Sequence, residues 1–544
     1  MRLTDLTVHI PSTSRKPPSQ EPGPVRWRTL EFRFYAVFIP IIVFIMAWIP
    51  ISLSSPTHPN YPRFRARLSQ GWMFGRLVDN SDAQYRGFRD NFIPLALAAV
   101  AFLVAKFIRT RLHGGSGDKM YLLRFNFGAA IVMLLALHGT SILKIIPIIT
   151  ANYLIAKSYR GSKFGPICTW VYNVAMIFMN DWYSGYKFGD IFAPLAFLDS
   201  SEGIYPRWHV TFNITMLRLL SFSMDYYWAC NNSAPSENVP ELNERQRTTL
   251  AHPESLYSYV NYVSYALYPP LYLAGPIMTF NDYIWQHRRP LNISRSTVLG
   301  HFVRFAITML TMEFILHYMY VVAMKDTKAW MGDTAAQIAM IGFWNLIIVW
   351  LKLMIFWRFF RLWALAAGID APENMIRCMA NNYSTFGFWR SWHRSYNLWI
   401  TRYIYIPVGG SKNVILNTLI VFTFVALWHD LTFRLLAWGW LVSLFILPEF
   451  VARYLLPESK FGHQPWYRHV CALGAVCNIL MMMAANLVGF VIGLEGLQFF
   501  VQRLFGTTEG MQFLVLATGV LFCASHLMFE YREEEKRNGI IRKC

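Results

Sequence analysis

Two histidines stand in apolar sequence where a lipid-facing helix would carry none. In Val421–Phe433, "VFTFVALWHDLTF", every residue up to Trp428 except Thr423 is apolar, and then His429 and Asp430 arrive side by side. In Phe386–Asn413, "FGFWRSWHRSYNLWITRYIYIPVGGSKN", His393 sits among arginines and tryptophans. Placing a charged side chain at mid-membrane costs about 2.5–3.5 kcal/mol even on a lenient insertion scale, so ionisable residues there generally face a bundle interior and work in it. An imidazole, with an ordinary pKa of about 6.5, suits general-base work near neutrality. The chain has no GxSxG elbow, no HExxH or Cys/His metal set and no Walker loop. Direct transfer to an acceptor hydroxyl without a covalent enzyme intermediate remains, as does a proton relay in a transporter.

The elements that must position these groups follow from periodicity. A helix from Phe388 to about Ile404 would put Arg390, His393 and Asn397 on one face at i, i+3 and i+7. Trp389, Trp392, Tyr396 and Trp399 form the neighbouring stripe, and Pro407 with Gly409 and Gly410 ends the element. A polar seam flanked by aromatics belongs against a cavity, with Asn397, Trp392 and Trp389 as candidate substrate contacts. The aromatics alone would equally suit a membrane-interface belt. Asp430, one residue beyond His429 and thus about 100° around a helix, is expected to orient some other group of the substrate site.

Composition sets the surroundings. Of 544 residues 55% are hydrophobic and 15% charged, too apolar for a soluble protein of this length. The chain reads as an all-α, polytopic membrane protein with about 10 to 13 segments of the length needed to cross a ~30 Å hydrocarbon layer. Candidate spans begin at Tyr35–Leu53 and include Val210–Ala229, Tyr257–Phe280, Ala336–Ala367 and Val414–Thr432; Ile191–Leu198 is short enough to be re-entrant. Residues 1–33, rich in Pro and Ser with scattered basic residues, read as a disordered cytosolic tail, and residues 530–544 as a charged C-terminal tail; 34–529 forms the membrane domain. The formal charge of +19 comes from basic residues in short loops, such as Lys157, Arg160 and Lys163, which is the footprint of membrane orientation and anionic headgroups and not of nucleic acid. The seven cysteines show neither CxxC pairs nor metal spacing, Cys544 is not in a prenylation box, and no metal is expected.

"WRSWHRSYNLWITRYIYIPVGG" followed by an apolar helix carrying "ALWHD" resembles the two-part signature of the membrane-bound O-acyltransferase (MBOAT) superfamily. "YPPLYLAGPIMTFNDY", with Gly275-Pro276, and "LRLLSFSMDYYW" match its upstream motifs in the right order. Within the superfamily, "SFSMDYYW", "GIDAPENM" and "FGFWRSWHRSYN" resemble the fungal Gup proteins, named for glycerol uptake and related to Hedgehog acyltransferases. In the latter the first-motif residue is typically Asp, where this chain has His393.

The resemblance implies an MBOAT fold, with re-entrant helices around a central tunnel, and the catalytic pair His429 and His393. It also implies an acyl-CoA-dependent acyltransferase of the endoplasmic-reticulum membrane, with the plasma membrane as a further location. The reaction would restore a long-chain acyl group to the sn-2 hydroxyl of lyso-phosphatidylinositol in glycosylphosphatidylinositol (GPI) anchors, so membrane lipids, acyl-CoA and GPI-anchored proteins are the expected partners. No cofactor is expected to be permanently bound. Arg358, Arg361, Arg390, Arg394 and Arg402 are the candidates to meet the CoA phosphates. A glycerol or proton transporter, and a protein acyltransferase or regulator of the Hedgehog-acyltransferase type, are the alternative readings. The transporter is disfavoured because no repeated halves are visible.

Overall fold

A computed structural model describes residues 23–114, 118–232 and 242–540. Residues 1–22 of the expected N-terminal tail and Cys544 lie outside the described residues. Among the described residues nine helical stretches are long and apolar enough to cross a bilayer. One of them, 121–158, comprises two helices, Tyr121–His138 and Ile142–Ser158, joined by a turn at Gly139–Ser141. The short antiparallel pair Leu68–Gln70 and Leu77–Asp79 is the β-structure named among the elements.

The helices divide by what surrounds them. Ala335–Ala366 runs 32 residues, about 48 Å at 1.5 Å per residue, and 61% of its most apolar window is buried, against 6% for Phe92–Leu112. It is the central post. Its start is fixed by a capping box in which Thr334 and Gln337 exchange side-chain and backbone hydrogen bonds of 2.8 and 3.2 Å. At its other end the carbonyl of Ala367 accepts from the buried Lys106 ammonium of Phe92–Leu112, a cation at a helix C-terminus. Trp208–Asn231 is likewise enclosed, with every residue from Thr215 to Tyr226 buried.

The segment expected as a span over Tyr257–Phe280 is not one. It forms the helix Tyr259–Ala266, the single turn Pro269–Tyr272, non-helical chain to Thr279 and then the helix Phe280–Arg288. Pro269-Pro270 and Gly275-Pro276 prevent a continuous helix. At Gly275 a Cβ would lie 2.4 Å from Leu271 Cα, so a side chain has no room there. Irregular backbone at membrane depth needs polar partners from protein, and the enclosed helix supplies them. Arg218 donates to the carbonyls of Ala266 and Leu271. Ser221 accepts from the Phe280 N–H at 3.2 Å, and Asp225 from that of Asn281 at 3.3 Å. The "LRLLSFSMDYYW" residues thus hold the Gly-Pro motif in place.

The described residues next to each chain end, 23–33 and 530–540, pack against one another. Gly23 and Arg26 donate backbone hydrogen bonds to the carboxylates of Glu533 and Glu530, and the helix Thr508–Arg537 runs well past residue 530. Residues 23–29 therefore lie along the last helix, whose acidic side chains take up the N–H groups of the incoming strand of chain.

Candidate active site

The helix expected over Phe388–Ile404 is broken at the histidine itself. Thr385–Ser391 ends, His393 takes the left-handed conformation (φ 46°, ψ 52°), and Arg394–Ile400 begins, continuing as a π-helical turn to Tyr405. A left-handed non-glycine residue costs of order 1 kcal/mol or more and persists where its surroundings impose it. The "GIDAPENM" segment does so. The Asn374 carbonyl accepts from the Arg394 N–H at 3.0 Å, its side-chain oxygen accepts from the Ser395 N–H at 3.0 Å, and the Met375 backbone bridges to Trp392. With the helix interrupted, Arg390, His393 and Asn397 no longer share the single continuous face that their spacing predicted.

The bend sends the His393 ring onto Trp357 of the central helix, stacked at 4.4 Å between centroids, with Tyr396 at 5.2 Å and Trp428 at 6.5 Å. His429 arrives differently, as the last residue of the regular helix Val414–His429. That end is clamped to Trp208–Asn231: the Asn213 side chain donates to the Trp428 carbonyl at 3.1 Å, and the Trp428 indole donates to the Asn213 carbonyl at 2.8 Å. Trp428 therefore stands beside both imidazoles, with the His429 ring edge-on to it at 4.7 Å.

A cavity of about 190 Å³ opens at His429. Its polar lining is His429, Asp430, Asn180, Asp181, His209 and Asn213, and four aliphatic side chains complete it. The helix ends at His429 and Asp430 is extended (φ −169°, ψ 142°), so the 100° separation expected on a helix does not apply and both side chains face one space. His393 is not part of this lining, nor is Asn397, Trp392 or Trp389. Trp392 stacks on Phe388, and Trp389 packs against Phe422 and Trp438 at a separate small crevice. Sequence reasoning missed Asn180, Asp181, His209 and Asn213, because each is an ordinary polar residue at a helix end and only the packing of three helix termini brings them together.

The five candidate arginines separate as well. Arg394 is bidentate to Glu244 at 3.0 and 3.1 Å, and Arg402 pairs with the buried Asp225 at 2.8 Å while lying over Trp228. Arg390 is on the surface with its guanidinium 3.9 Å from the centre of the Phe386 ring. Arg358 and Arg361 converge with Arg304, absent from the sequence-based candidates, and with His301. Arg358 donates to Thr308 at 2.5 Å and to the Arg304 carbonyl at 3.3 Å, and its Nε is buried without a partner. Arg361 pairs with Asp370 at 2.9 Å and Glu373 at 3.4 Å.

A histidine at the end of an apolar helix beside a polar cavity, with a guanidinium cluster made by Arg358 and Arg361 of the central helix and Arg304 of the helix Arg295–Tyr318, fits group transfer from an anionic donor. Comparison with known proteins decides the class. Residues 168–494 match the membrane-bound O-acyltransferase family and enclose His393, His429 and all five arginines. The chain is 48% identical to Membrane-bound O-acyltransferase GUP1 of Saccharomyces cerevisiae, over 99% of this chain and 97% of that protein. It is 40% identical to gup1 of Schizosaccharomyces pombe over 99% and 95%. The chain belongs to the membrane-bound O-acyltransferase family. This MBOAT is accordingly a multi-pass membrane acyltransferase that takes a lipid or other acceptor and an acyl donor as substrates. It is also 27% identical to the mouse Protein-cysteine N-palmitoyltransferase HHAT, over 61% of this chain and 68% of that protein.

Proposed function

We propose that the enzyme transfers a long-chain acyl group from acyl-CoA to the sn-2 hydroxyl of lyso-phosphatidylinositol in GPI anchors, in the endoplasmic-reticulum membrane. The observation that carries the reaction is the placement of His429, on the last turn of an apolar helix and facing a polar cavity. There the imidazole takes the proton of the acceptor hydroxyl as its oxygen attacks the thioester carbon, then returns it to the departing CoA thiolate. General-base assistance contributes roughly 10²- to 10⁴-fold, and holding both reactants in one site adds to it. His393, outside that cavity and packed on Trp357 and Trp428, orients the thioester or donates to its developing oxyanion, an interaction worth about 2.7–4 kcal/mol per donor. The CoA phosphates meet Arg358 and Arg361 together with Arg304, since guanidinia suit phosphate geometry and Glu373 and Asp370 offset only part of the positive charge.

The identity of the acceptor rests on the Gup likeness, and the test is direct. Purified protein in detergent receives labelled acyl-CoA and lyso-phosphatidylinositol, and the lipids of GPI anchors are analysed in cells carrying His429→Ala. Labelled phosphatidylinositol from the wild type only, with shortened or missing sn-2 chains in the mutant cells, is the expected result. Unchanged anchors would remove this substrate, and transfer undiminished by His429→Ala would remove the role of the histidine.

A further inference from the structure

Asn180 is the last-but-two residue of the helix Phe164–Trp182, only 2% exposed, and neither its amide oxygen nor its amide nitrogen has a hydrogen-bond partner. It lines the cavity at His429. A buried amide left with both capacities open is rare in native proteins and calls for a partner that arrives later. The turn that follows is built around the same wall. The Gly185 N–H donates to the Asn180 carbonyl at 2.9 Å, Gly185 has φ +84°, and a Cβ there would come within 2.5 Å of the His209 ring. The chain bends tightly here and brings Asn180, Asp181 and His209 opposite His429.

The chemistry of the lining is selective. It offers two carboxylates, two amides and two imidazoles, and among the described residues no lysine or arginine lines it. Hydroxyl groups satisfy such a set, donating to Asp181 and to the Asn180 oxygen and accepting from the amide nitrogen. A phosphate inside would face Asp181 and Asp430 with no cation beside it. A cation does stand just outside: Arg207, exposed, is the residue before the helix Trp208–Asn231, two positions from His209.

We propose that Asn180, with Asp181 and His209, is the acceptor subsite, which binds the uncharged, hydroxyl-bearing glycerol portion of the acceptor and keeps any phosphate at the rim against Arg207. This rests on the reading of His429 as the base for an acceptor hydroxyl, and it names the chemical class that the cavity admits.

The experiment measures acyl transfer from labelled acyl-CoA to two acceptors, lyso-phosphatidylinositol and uncharged 1-monoacylglycerol, by purified full-length variants of verified thermal stability. Asn180→Leu should raise KM about tenfold for both acceptors and leave KM for acyl-CoA unchanged, the ratio expected from one lost hydrogen bond to a polar substrate. Asp181→Asn should raise KM about threefold for both. Arg207→Gln should raise it for lyso-phosphatidylinositol alone. A lower KM for lyso-phosphatidylinositol in Asp181→Asn would mean that phosphate enters the cavity, and would overturn the proposal. An unchanged acceptor KM in Asn180→Leu would overturn it too, while leaving the transfer reaction intact. Failure of the wild type on lyso-phosphatidylinositol, with Asn180-dependent transfer to monoacylglycerol, would remove the GPI-anchor substrate and support the subsite.

Discussion

His393 and His429 reach the candidate site by opposite routes, and the contrast separates two ways of presenting an imidazole from an apolar helix bundle. His393 stands where a helix is broken, in a left-handed conformation held by hydrogen bonds that Asn374 accepts from Arg394 and Ser395 and by stacking on Trp357. His429 ends a regular helix whose other residues are nearly all apolar, and a reciprocal pair of hydrogen bonds between Trp428 and Asn213 fixes that end. The broken route needs a large supporting network and tolerates little change in the backbone. The regular route needs only a helix that stops at the right residue beside a cavity, so its side chain can be exchanged with less structural consequence.

The largest effect should therefore come where the structure is least disturbed. His429→Ala should lower acyl transfer by about 10²- to 10⁴-fold with protein abundance and melting temperature near those of the wild type, as radiolabel transfer and a thermal-shift assay will show. His393→Gly sharpens the comparison, because glycine accepts the left-handed bend without strain. Transfer should fall about 10²-fold or more while stability stays within about 1 kcal/mol, the relieved backbone offsetting the lost contact with Trp357. If His393→Gly unfolds the protein, the ring itself holds the bend and the two routes differ more widely still.

The arginines allow the same division between chemistry and support. Arg402→Met should destabilise by about 3–5 kcal/mol, since it strands the Asp225 carboxylate, which is wholly buried; the loss is read from denaturant or thermal unfolding in detergent. Arg358→Gln should instead raise KM for acyl-CoA about tenfold with a smaller change in stability, which initial-rate kinetics will separate. Gly275→Ala, which crowds Leu271, should cost about 1–3 kcal/mol and affect activity only through the amount of folded enzyme.

Much of this organisation was legible in the sequence, for identifiable reasons. A run of apolar residues of bilayer length is a local property, so spans such as Ala335–Ala366 and Val414–His429 could be read to within a few residues. The two histidines stood out in the sequence as candidates because an ionisable group in such a run is costly and generally has a partner or a task. Local periodicity misled where long-range partners overrule it. Nothing in "FGFWRSWHRSYN" announces that Asn374 will hold His393 out of the helix. Equally basic in sequence, Arg394 and Arg402 become structural pairs because a carboxylate from elsewhere in the chain, Glu244 or Asp225, faces each of them.

The sequence by itself settled the solvent the chain lives in, the helical class that this solvent enforces and the imidazoles that have no reason to face lipid, because each depends on neighbours along the chain. Tertiary structure alone decided which polar residues share a space with His429. Asn180, His209 and Asn213 come from two other helices, and their meeting depends on where those helices end and how tightly the turn at Gly185 closes. Hydrogen-bond and packing partners of that kind are set by the folded geometry and leave no period in the sequence.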